Sequence, residues 1–108
     1  YILVEKYNWV YSIAIGKSNE EFSPDQTNLL DPYTETTDLT ITYEEIEGAS
    51  YVNVWANFDI EEDVTINEVG LFGHFAGYKV LIAREVLAEP LNLTAGQRLK
   101  IVFKLRIG

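Results

Sequence analysis

The chain has no cysteine and no methionine, one histidine and three prolines. Without cysteine there is no disulfide, no thiolate-bound zinc or iron–sulfur cluster and no cysteine nucleophile. Cations are scarce too: 8 Lys and Arg stand against 17 Asp and Glu, a formal charge of −9. Recognition of a phosphate backbone relies on clustered Lys and Arg, so nucleic acid falls away as a partner. No apolar run approaches the roughly 20 residues that a membrane-spanning helix requires. What is present is a globular composition. The chain has 108 residues, 47% hydrophobic and 13% aromatic, too apolar for disorder and sized for a single domain over residues 1–108.

Hydrophobicity alternates with a period of two. Near the end, Leu99, Ile101, Phe103, Leu105 and Ile107 alternate with Arg98, Lys100, Lys104 and Arg106, and Val102 alone breaks the polar face. Val52, Val54, Ala56, Phe58 and Ile60 oppose Tyr51, Asn53, Trp55, Asn57 and Asp59 in the same way. Leu39, Ile41 and Tyr43 oppose Asp38, Thr40, Thr42 and Glu44. Each pattern marks a strand with one face in a core and one in water. Residues 10–15 are apolar nearly throughout, which suits a strand covered on both faces. Residues 64–72 and 78–87 complete six long strands, with 2–5 and 91–93 as shorter candidates.

Turn-forming residues separate these runs at 47–50, 61–63, 73–77 and 94–97, the last containing Gly96. Short strands punctuated this way predict an all-β antiparallel sandwich, jelly-roll-like or Ig-like, of seven or eight strands. In the one long irregular stretch, residues 16–37, Ser23-Pro24-Asp25-Gln26 has the form of a capping box. It predicts at most one short helical turn near 23–30.

The chain opens on Tyr1 and passes directly into Ile2, Leu3 and Val4. A strand-like start fits either removal of an upstream segment, as signal cleavage leaves, or a chain that continues upstream. Residues 1–8 then form an extended arm, or a strand donated to a neighbour. Charge is uneven as well. Residues 1–70 hold 15 acidic and 2 basic side chains, whereas residues 71–108 hold 2 acidic and 6 basic. Arg98, Lys100, Lys104 and Arg106 make a basic rim that either keeps an edge strand soluble or meets an acidic subunit.

Catalytic constellations are not evident. His74 sits in a Gly-bracketed turn, and none of Ser12, Ser18, Ser23 or Ser50 occupies the elbow that exposes a nucleophile. A chain of this length leaves little room for a cleft, so an enzyme is not expected, nor is a cofactor. Asp59, Glu61, Glu62 and Asp63 form the best calcium candidate, although a solvated acidic turn explains them as well and no EF-hand spacing is present. Trp9 and Tyr11 share a face by alternation, and Trp55 shares one with Asn53 and Asn57. Such aromatics serve as core, as interface anchors or as stacking platforms for sugars.

The order Ile13-Ala14-Ile15-Gly16, a Pro-Asp loop, Ile66-Asn67-Glu68-Val69-Gly70-Leu71-Phe72, a Gly turn, Val80-Leu81-Ile82-Ala83-Arg84-Glu85-Val86, Pro90-Leu91-Asn92-Leu93 and Ala95-Gly96-Gln97 carries a resemblance. Over residues 12–107 the chain resembles the small β-sandwich structural domains of tailed phages and archaeal viruses. The resemblance implies a virion role in tail, fibre or capsid decoration, and oligomeric assembly. On adjacent strands Glu68 and Arg84 can pair across the sheet, and Gly70 can host a bulge. The expected protein is therefore a structural subunit, virion-borne or extracellular, whose partners are copies of itself or other particle subunits. Tyr1, Ile2, Leu3, Val4, Trp9, Tyr11, Trp55 and the basic rim are its candidate contacts. Two alternatives stand beside it: a filament subunit that polymerises by donating its N-terminal strand, and a carbohydrate-binding module. The absence of Cys and Met suits exposure to oxidants.

Overall fold

A computed structural model describes residues 9–21 and 27–107. Seven strands follow in order: β1 (Val10–Gly16), β2 (Pro32–Thr36), β3 (Thr40–Ile46), β4 (Ala49–Asp59), β5 (Val64–Phe75), β6 (Tyr78–Leu93) and β7 (Arg98–Arg106). They form two antiparallel sheets, one ordered β2-β1-β5-β6 and the other β3-β4-β7. The chain changes sheet at residues 37–39, 60–63 and 94–97, links of three or four residues. Links this short span only the roughly 10 Å between packed sheets, so β2 lies over β3, β5 over β4 and β6 over β7.

The core follows the alternation. Val52, Val54, Ala56 and Phe58 of β4 and Phe103 of β7 meet Ile13 and Ile15 of β1 and Ile66, Val69 and Leu71 of β5. The expected sandwich is present, and among the described residues there is no helix. Residues 27–30 are irregular, and the rest of the predicted helical turn, residues 22–26, lies outside the described residues. So do Tyr1, Ile2, Leu3, Val4 and the remainder of the predicted arm.

Three details differ from the pattern. β2, with sequence PYTET, has no hydrophobic alternation to announce it, because it is a short and largely exposed edge strand. β6 continues through Pro90, which falls among residues 87–90, looped out of the ladder between the Glu68–Val86 and Ile66–Leu91 pairs, where its missing N–H costs no ladder bond. The expected turn at 73–77 contracts to Ala76-Gly77, with Gly73 paired to Val80 inside the ladder. Both tip residues have positive φ, 51° and 84°, as a two-residue hairpin of primed type requires.

The β3–β4 hairpin turns the same way on Glu47 (φ 50°) and Gly48 (φ 81°). Glutamate is poorly suited to left-handed backbone, whereas Asn-Gly is the preferred pair for this turn. Glu47→Asn is expected to raise the urea midpoint, with a gain of roughly 0.5–1 kcal/mol.

Candidate functional site

Two register shifts decide what lies on the outer face of the four-stranded sheet. One falls between Ile66 and Glu68 and the other between Leu71 and Phe72, each against β6. Ile66 and Val69 both enter the core, three residues apart, so the first shift turns Glu68 outward instead of into the core. The second lets Leu81 pack on the outer face with Phe72 while Ala83 packs inward. Neither shift falls at Gly70, which stays in register with Arg84. Gly70 instead makes room for Leu29: a Cβ there would lie 2.7 Å from Leu29 Cδ2.

The centre of the outer face is covered by Leu29 and its neighbours, in the described part of the link between β1 and β2. Leu29 is buried against Ala14 and Phe72, and Lys17 N–H donates to the Asp31 carbonyl at 2.9 Å, closing the neck of the loop. Under that neck lies the Glu68 carboxylate, fully buried. It accepts the backbone N–H of Ser18 at 3.0 Å, of Leu30 at 3.0 Å and of Asp31 at 2.8 Å. Arg84 Nε donates to it at 2.9 Å from the adjacent strand. Gly16 gives the carboxylate its space, since a Cβ there would stand 2.5 Å from Glu68 Oε2 and 2.7 Å from the Asp31 carbonyl.

Burial opposes ionisation of Glu68. The Asp31 N–H, the Arg84 guanidinium and the Ser18 and Leu30 N–H groups outweigh it and hold the carboxyl below the ordinary glutamate value. Four donors use the lone pairs a carboxylate offers, so Glu68 is a structural staple with no capacity left for base or ligand chemistry. Arg84 engages through Nε alone; its buried Nη1 and Nη2 have no hydrogen-bond partner. A second acidic staple lies on the same face. Glu35 accepts the Ser12 hydroxyl and pairs with Lys79 at 2.7 Å.

The other candidate residues separate. Asp59 pairs with Arg98 at 3.2 Å, and Asp63 accepts the Ala95 N–H at 3.1 Å. Glu62 and Glu61 stand beside Tyr33, where burial and then these carboxylates push its phenol above its usual value. The calcium set therefore does not assemble. Among the described residues no group of three or more His, Asp or Glu side chains converges on a metal-sized site. Gly96, with φ 93°, sits in the turn that joins β6 to β7, and its N–H donates to the Ile60 carbonyl at 2.7 Å.

Trp9 and Tyr11 do not share a face. Trp9 stacks on Phe75 and Tyr11 on His74, consecutive residues that point to opposite sides of β5. A register shift between Val10 and Ser12 breaks the alternation. Trp55 is half-buried on the outer face of the three-stranded sheet, with Lys100 Nζ 4.1 Å from its ring centroid. That cation already occupies a face of the indole on which a sugar would stack. Lys104 pairs with Glu44 at 2.8 Å, so the basic rim is partly neutralised within the chain.

Reading by alternation missed the apolar end of the β5–β6 hairpin. Phe75, Tyr78, Val80 and Ile82 are 46%, 74%, 40% and 37% exposed, and none joins the core cluster. Their spacing resembles that of buried strand residues, so only the position of the second sheet shows them uncovered. Compared with family models, curated proteins and solved structures, the chain matches none.

Two expectations follow from the staple. Glu68→Gln strands a buried guanidinium and should cost about 3–5 kcal/mol at neutral pH. Because the folded carboxyl titrates below its unfolded value, its contribution is complete above roughly pH 4.3 and is lost as pH falls through the folded value. Urea midpoints measured from pH 7 to 2 should therefore converge for wild type and Glu68→Gln at the acid end. Separately, Gly16→Ala should destabilise by about 1–3 kcal/mol and speed proteolytic nicking of the 17–31 loop. Gly70→Ala should cost less, because the flexible Leu29 side chain can shift.

Proposed function

We propose that this chain is a non-enzymatic structural subunit that assembles with copies of itself, as a virion component in capsid decoration, tail or fibre. The observation that carries the assembly reading is the apolar end of the β5–β6 hairpin, left exposed among the described residues. Four large side chains there are more than a third exposed, a clustering that a monomeric surface seldom leaves in water. The virion setting rests on the resemblance. Its motif residues supply the staple (Glu68 and Arg84), the loop-accommodating Gly70 and the hairpin strands themselves.

The rest of the molecule supports a scaffold role. The most buried acid is consumed by structural donors, and the acidic residues of the 59–63 turn are held apart by separate partners.

Sedimentation velocity over a concentration series tests the assembly reading. The wild-type chain should shift to larger species as concentration rises. Tyr78→Thr with Val80→Thr should weaken association on the order of tenfold or more while leaving the β-sheet circular dichroism intact. A wild-type chain that stays monomeric throughout would remove the proposal.

A further inference from the structure

The two lateral sides of the sandwich differ in charge. β2 and β3 form one side, and residues 31–47 hold six acidic and no basic side chains. β6 and β7 form the other, where residues 78–106 hold six basic side chains against two acidic. Arg84 is buried on Glu68, and Lys79 and Lys104 pair within the molecule with Glu35 of β2 and Glu44 of β3, which leaves Arg98, Lys100 and Arg106 as the exposed cations of that side. All four strands are sheet edges among the described residues. Like sides of two copies would therefore repel, while unlike sides attract.

Strand direction is compatible with the same arrangement. The four-stranded sheet is antiparallel at every step from β2 to β6, so its two edges run in opposite directions. A copy displaced sideways in the same orientation would bring its β2 alongside β6 as an antiparallel neighbour. Apolar surface is present on both sides: Tyr78, Val80 and Ile82 on β6, and the exposed Leu30 just before β2. The Arg98–Asp59 pair is mostly in water, and such a pair exchanges partners at little cost.

We infer that copies of this chain associate side by side and head to tail, the β6/β7 edge of one against the β2/β3 edge of the next. The contact is heterologous, so it propagates into a ring or a fibre instead of closing as a two-fold dimer. It rests on the assembly reading above and names the surface that the hairpin residues meet. The basic rim of β7 then has two effects. It prevents pairing of β7 with its own copy, and it selects the acidic side of a neighbour.

Charge exchange tests this. Asp38→Lys with Glu45→Lys brings the formal charge of residues 31–47 from −6 to −2, and Lys100→Glu with Arg106→Glu brings that of residues 78–106 from +4 to 0. All four positions are exposed, and circular dichroism checks that each variant is folded. In sedimentation velocity at low salt, each variant alone should associate at least on the order of tenfold more weakly than wild type. An equimolar mixture should restore one wild-type contact, the unaltered basic side of the first variant against the unaltered acidic side of the second, and stop there as a dimer. If the wild type associates and Asp38→Lys with Glu45→Lys leaves that unchanged, the head-to-tail contact is wrong while self-assembly stands. A β6-to-β6 two-fold dimer would give that result. A wild-type monomer at every concentration overturns both readings.

Discussion

One buried carboxylate organises the outer face of the larger sheet. Burying a charged glutamate is costly, and here the cost is offset by three backbone N–H groups and a guanidinium. Those same N–H groups belong to a loop with no ladder of its own, so the carboxylate also satisfies donors that would otherwise need water. The staple sets strict conditions on its surroundings. Gly16 must lack a Cβ, the β5–β6 ladder must shift just before Glu68, and Arg84 must lie on the neighbouring strand. With those met, Leu29 seats over Gly70 and packs on Ala14 and Phe72, covering the centre of the outer face without a third layer.

Covering that face leaves the lateral edges, the outer face of the three-stranded sheet and the far end of the β5–β6 hairpin as open surfaces. The hairpin is long because both its turn residues accept positive φ and its strands continue past the region covered by the second sheet. The chain's excess of acid is not a uniform surface property. Residues 31–47 carry six acidic and no basic side chains, whereas residues 78–106 carry six of the chain's eight cations.

The legible part of the fold was the part governed by alternation. β4 and β7 read directly, because each has one face in the core and one in water for its whole length. β2 was invisible because a short edge strand buries too little to need apolar residues. At the staple, the residue pair was visible but its surroundings were not. Gly70 reads as a bulge when its true constraint is a leucine arriving from another segment. The Trp9 and Tyr11 pairing failed for a related reason, since one register shift reverses every later side chain.

From sequence alone came the fold class, the strands with clean period two, the adjacency of Glu68 and Arg84, and the charge split along the chain. These depend on local spacing and composition, which a linear pattern records. Only the tertiary structure decided which side of the bulged strands faces the core, which backbone groups Glu68 holds, that the 59–63 acids diverge, and that the hairpin end lies uncovered. Each of these depends on where a second, distant segment comes to rest, and hydrogen bonds and burial between remote residues leave no period in the chain.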